Sequence, residues 1–152
     1  MKYSTLLGMT FFSFIFMYLL MYSMVDSTAN IYFNLNQFYM AGIMTIPMVL
    51  IELFLMRSMY TNRKLNKIIA FISLAAFILL VILLRTQTAI GNKEFLKSMI
   101  PHHAGALLMC QKAQLSDPEL KQLCTTILTS QQSEINFMKS KLAALDNPAI
   151  NQ

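Results

Sequence analysis

The stretch Met99-Ile100-Pro101-His102-His103-Ala104-Gly105-Ala106-Leu107-Leu108-Met109 and its counterpart Ser130-Gln131-Gln132-Ser133-Glu134-Ile135-Asn136-Phe137-Met138 decide how this chain folds. Apolar residues recur in both at helical rather than strand spacing. In the first, Phe95, Met99, His102, Ala106, Met109 and Ala113 alternate steps of four and three, which predicts one buried helical stripe, with Asn92 as N-cap. Pro101 leaves the residue 97 carbonyl without its helical donor, which predicts a kink. The second helix opens on Ser116-Asp117-Pro118-Glu119, read as a capping box with Ser116 as cap. Its stripe runs Leu120, Leu123 or Cys124, Ile127, Gln131, Glu134 or Ile135, Met138, Leu142 and Leu145, and Asp146-Asn147-Pro148 stops it. So short a connection makes the helices antiparallel neighbours. Facing residues should then have numbers summing to about 233, within three. That pairs Phe95 with Met138, Met99 with Glu134, His102 with Gln131, and Cys110 with Cys124.

Upstream of residue 86 the chain changes character. Of its 152 residues 56% are hydrophobic and 12% charged, about half the charge of an average soluble domain. Residues 1–85 contain two acids, Asp26 and Glu52, whereas residues 86–152 contain five acids and six lysines. Three apolar runs, about 6–25, 38–56 and 68–84, approach or reach the roughly 20 residues that cross a bilayer. The first is longer than a signal-peptide core, and Ser27-Thr28-Ala29 is a weak cleavage site. Arg57, Arg63, Lys64 and Lys67 lie between the second and third runs, while residues 26–37 carry no Lys or Arg. That contrast predicts a multi-pass protein of a cytoplasmic membrane, N-terminus inside and C-terminal region outside, in periplasmic or equivalent space. Membrane lipid is therefore an expected partner. The net charge of +5 sits mostly in the membrane half and lacks the basic-aromatic patch of a nucleic-acid binder.

His102, His103, Met99, Met109, Met138 and Glu134 form a mixed imidazole, thioether and carboxylate set. Such donors suit soft late metals, above all Cu(I). Gln131 would serve behind them, fixing an imidazole tautomer. The competing reading is a core histidine bonded to Gln131, with Met99 and Met138 as packing. A di-iron carboxylate site would need more inward glutamates, and no nucleophile-and-base arrangement is present, so no catalytic residue is assigned. Cys110 and Cys124, the only cysteines, face each other; in an oxidising exterior they read as a disulfide, the alternative being two small buried hydrophobes on the seam. In the second run Met40, Met44, Met48, Glu52 and Met56 recur every four residues, matched by Met17, Met21 and Met24 in the first. They form either a soft-metal path with Glu52 as a polar station or ordinary packing with a snorkelling carboxylate.

The pattern Met99-Ile100-x-His102-His103-x-x-Ala106, followed by Gln131-x-x-Glu134-Ile135-x-x-Met138, resembles the hallmark of the domain of unknown function 305 family. The likeness spans about residues 90–145 and implies a ferritin-like helical fold, with copper binding outside the cytoplasm in some members. Soluble members often carry the hairpin twice. One copy here implies self-association, as does the small core of a lone hairpin.

The expected architecture is all-α. A three-span membrane domain over residues 1–85 precedes a His-His hairpin over 92–146, a half-bundle completed by homodimerisation. The expected role is extracytoplasmic copper binding or buffering. The alternatives are a dimerisation module with structural histidines and a metal-dependent oxidoreductase.

Overall fold

In the computed structural model, which describes residues 3–147, there are five helices and no strand among the described residues. They are α1 (Tyr3–Leu20), α2 (Leu35–Leu55), α3 (Arg63–Arg85), α4 (Asn92–Lys112) and α5 (Pro118–Asp146), with single 3-10 turns at Met21–Met24 and Thr28–Asn30. The chain divides into two compact units, Met1–Met21 with Asn36–Ala89, and Tyr22–Leu35 with Ile90–Gln152.

The first unit contains the apolar helices. Tyr3–Met24, Leu35–Leu55 and Arg63–Arg85 are each long and apolar enough to cross a membrane. Of these, α3 has no buried residue within the chain, so its apolar surface is left for surroundings of like polarity. The packed face of α2 is Tyr39, Ala41, Gly42, Thr45, Val49 and Leu53. Gly42 admits Leu80 so closely that a Cβ there would lie 2.5 Å from its Cδ1. Met44 and Met48 lie on the exposed side of α2, whereas Met56 packs against the cluster of Leu6, Val49, Leu53 and Tyr60, so the methionine stripe is divided between two environments.

Helix α3 begins five residues before the apolar run because the Asn62 side chain caps it, accepting from the Leu65 N–H at 3.0 Å. It ends in a left-handed cap. Gln87 has φ 52°, its N–H donates to the Leu84 carbonyl at 3.2 Å, and the Thr88 N–H donates to Leu83 at 3.0 Å. Between α2 and α3, Tyr60 is fully buried, and its hydroxyl donates to Glu52 at 2.6 Å. The Asn66 amide donates to the Tyr60 carbonyl at 2.8 Å and accepts from the Tyr3 hydroxyl at 2.7 Å. Burial and then the Glu52 carboxylate push the Tyr60 phenol up to about 12.

In the second unit α4 and α5 run antiparallel. Lys93 pairs with Asp146 at 2.8 Å, His103 with Glu134 at 2.7 Å, and Cys110 with Cys124 through a disulfide, Cα atoms 5.2 Å apart. The seam is Ile100, Ala104, Leu107, Ile135, Met138 and Leu142, with Leu96, Met99 and Leu128 against it. The expected α4 stripe is therefore rotated by one position. Phe95, His102 and Met109 are exposed, and Ile100, His103 and Leu107 point inward. The reason is transfer energy: Ile and Leu gain more from burial than His and Ala. The pairing sum also drifts, within its tolerance at the disulfide and beyond it at His103 and Lys93. Relative to the disulfide, the partner lies three positions later at His103 and five at Lys93.

The helix caps differ from expectation too. Asp117, not Ser116, caps α5, accepting from the Glu119 and Leu120 N–H groups at 2.8 and 3.0 Å, because Pro118 takes the first helical position. Gly91 occupies the N-cap position of α4, and Asn92 is already helical. Pro148, expected to help stop α5, lies outside the described residues.

A third component completes this unit. The segment Tyr22–Leu35 packs on α4, with Val25 and Tyr32 against the seam. The Tyr22 hydroxyl donates to the Tyr32 carbonyl at 2.9 Å. Buried Asn34 donates to Tyr32 at 2.9 Å and to the Lys97 carbonyl at 3.4 Å, and Glu94 accepts the Leu35 N–H at 3.0 Å. This segment reads as a connection in sequence because its contacts use polar side chains without apolar periodicity.

Candidate functional site

The two histidines share a backbone helix but not an environment, because adjacent helical residues project about 100° apart. His103 falls on the seam between Met99 and Leu107 and is buried; His102 falls on the free side of α4. The rings meet edge-on with centroids 6.0 Å apart.

Both nitrogens of His103 are engaged. The Met99 carbonyl lies 2.9 Å from Nδ1 and only accepts, so Nδ1 carries a proton and donates. Nε2 lies 2.7 Å from Glu134 Oε2. Imidazolium with carboxylate satisfies that contact, and so does imidazole accepting from a carboxylic acid. Either arrangement leaves no His103 lone pair for an ion. The Glu134 side chain is about half exposed and the His103 side chain is not, so the contact ties a surface carboxylate to a core ring.

His102 has no hydrogen bond or ion pair among the described residues. Met99, one turn earlier, is half-buried, and its position three residues before His102 brings the thioether to the same side of the helix. Phe95 and Met109 continue that face at seven-residue intervals and are 50% and 55% exposed. The face is uncovered because α5 takes one side of α4 and Tyr22–Leu35 another. Met138 belongs to the seam, and Gln131 is half-buried on α5.

The structure thus divides the candidate ligands. His103 and Glu134 come together as a pair, Met138 joins the core with Met99 at its edge, and His102 and Met109 stand outside. No three His, Cys, Asp or Glu side chains converge as a ligand group among the described residues. Sequence reasoning missed the His103–Glu134 contact. The signal was available in the aliphatic series Leu96, Ile100, Leu107, which fixes His103 rather than His102 on the seam.

Glu52, the possible polar station of the second run, accepts from Tyr60 and so has a structural partner. Cys110 and Cys124 join the last turns of α4 to the first turns of α5.

Residues 79–143 match the family described as Domain of unknown function (DUF305). An uncharacterized protein of Acanthamoeba polyphaga mimivirus is 37% identical over 145 residues, covering 93% of each chain, so the likeness extends through the apolar helices. No solved structure matches. The His-His motif, its Gln-x-x-Glu-Ile-x-x-Met counterpart and the match that contains both place the chain plainly: it belongs to the DUF305 family.

Proposed function

We propose that this protein is a membrane-anchored soft-metal binder, with the α4–α5 unit on the outer side of a cytoplasmic membrane and copper(I) as the ion its donors suit. The observation that carries the reading is the unengaged, exposed His102 imidazole, three residues from the Met99 thioether on one face of α4. One thioether and one imidazole are an incomplete set. A second copy, meeting the first through the same face about a two-fold axis, supplies another Met99 and His102 and gives two sulfur and two nitrogen donors. Phe95 and Met109 flank the pair and exclude water in such a dimer, with Met109 as a reserve thioether.

His103, Glu134, Gln131 and Met138 have a different task in this account. They fix the face that presents His102: the His103–Glu134 contact sets register, and Met138 fills the seam. The orientation rests on four basic residues between the second and third apolar runs, Arg57 after α2 and Arg63, Lys64 and Lys67 in the first turns of α3, against none in residues 26–37. The role is binding or buffering of the ion.

Titration of the full-length, detergent-solubilised protein with Cu(I) against a chromophoric chelator tests the reading. The expected result is one ion held per two chains, with the holoprotein sedimenting as a dimer. Loss of all copper to a weak chelator would overturn it. A dimer that forms without retaining copper would favour a purely structural module, a reading to which exposed Phe95 and Phe137 lend support.

A further inference from the structure

Four exposed basic side chains, Arg57, Arg63, Lys64 and Lys67, fall between the end of α2 and the first turns of α3 and play no part in the metal reading. A cavity of about 570 Å³ opens between the end of α2 and the start of α3, lined by Arg57, Ser58, Tyr60, Thr61, Arg63 and Asn66. Neither arginine is ion-paired among the described residues. The Glu52 carboxylate accepts from the Tyr60 hydroxyl and does not line the cavity. Two arginines and three hydroxyl-bearing residues, of which Tyr60 is already bonded to Glu52, thus border one concave space with no acid among them.

The rim is held in shape before any ligand arrives. Buried Tyr60 is fastened through its hydroxyl to Glu52 and through its carbonyl to Asn66. Met59 and Tyr60 donate back to the Met56 carbonyl at 2.8 and 3.3 Å, which fixes the turn carrying Arg57 and Ser58. Arg63, Lys64 and Lys67 occupy the opening turns of α3, whose first turn carries no acid, so their charge repels the positive end of the helix. An anion in the cavity relieves that repulsion and satisfies the arginine forks together.

We propose that this cavity binds a phosphate group, presented by an anionic phospholipid headgroup. The planar guanidinium matches phosphate oxygens two at a time, the hydroxyls of Ser58 and Thr61 add donors, and apolar helices continue directly from the rim, as acyl chains require. Basic pockets between membrane helices on the cytoplasmic side are suited to such headgroups.

The test uses full-length protein in a neutral detergent and native mass spectrometry with dioctanoyl phosphatidylglycerol, dioctanoyl phosphatidylcholine and inorganic phosphate as separate probes. Saturable retention of one phosphatidylglycerol is expected, weakened about tenfold or more in R57Q/R63Q through loss of both forks. K64Q/K67Q, outside the lining, should change it by less than about threefold, since those exposed charges act through screened solvent. R57K/R63K keeps the charge without the fork, so it should fold if charge alone matters to folding and should still bind weakly. Inorganic phosphate retained with the same arginine dependence would also support the site and identify free phosphate as its source. Equal retention of phosphatidylcholine, or equal losses in K64Q/K67Q and R57Q/R63Q, would overturn the proposal in favour of diffuse surface charge.

Discussion

Removing the Cys110–Cys124 bridge should destabilise the α4–α5 unit by a calculable amount. The bridge closes a segment with a sequence separation of 14, and the chain-entropy relation assigns a loop of that length about 3 kcal/mol at 25 °C. Both cysteines are only half-buried, so exchange to serine adds little packing or desolvation cost of its own. A unit of this size loses about 4–8 °C in melting temperature per kcal/mol, which converts the entropy into a drop of about 12–24 °C. The assay is circular dichroism melting of full-length C110S/C124S beside the oxidised protein in the same detergent, with alkylation and mass spectrometry to establish the thiol state. The transition to follow is the one that moves when wild type is reduced. Hydrogen exchange should accelerate first at residues 108–112 and 118–124, the helix ends that the bridge ties together. A shift below about 4 °C would refute the reasoning, because loop closure would then contribute under 1 kcal/mol.

Other outcomes follow from local geometry. Gly105→Ala should stabilise α4 by about 0.5–1 kcal/mol in a denaturant or thermal melt, since its Cβ would sit 3.5 Å from the Met24 carbonyl in ordinary contact. Asp117→Ala should cost about 1 kcal/mol and Ser116→Ala far less, which comparative melts distinguish because only Asp117 accepts from the first turn of α5. A reporter active only in the cytoplasm should function when fused after Lys64 and fail when fused within residues 147–152; the reverse pattern would overturn the orientation.

Much of the architecture is legible in the sequence, and the places where it is not share a cause. Apolar run length suffices to find three candidate spans, because backbone polar groups in lipid must be satisfied within a continuous helix. It does not find where α3 starts, since Asn62 extends the helix through Arg63, Lys64 and Lys67 by a side-chain bond that hydropathy ignores. On α4 two stripes compete at helical spacing, one through Phe95, Met99, His102 and Met109, the other through Leu96, Ile100, His103 and Leu107. Periodicity alone does not choose between them. Aliphatic burial does, and it hands the second stripe to the seam and leaves the first exposed. The cap of α5 is a similar near-tie: Ser116 and Asp117 both cap well, and the position of Pro118 decides for Asp117. Least legible is Tyr22–Leu35. Tyr22, Asn30 and Asn34 tie the segment to itself through Tyr32 and Asp26, while Asn34 and the Leu35 N–H reach Lys97 and Glu94 on α4, and no local pattern announces these bonds.

The central claim is that the adjacent histidines do different work, His102 facing an ion and His103 holding the helices in register. Its most direct test measures Cu(I) affinity by chelator competition, and thermal stability by circular dichroism, for H102A and H103A in the full-length protein. The account predicts that H102A loses copper while melting near wild type. H103A should keep its copper affinity within about tenfold and melt lower, since Glu134 and the Met99 carbonyl lose their partner at a cost of about 1–3 kcal/mol. Copper affinity abolished in H103A and unchanged in H102A would contradict it.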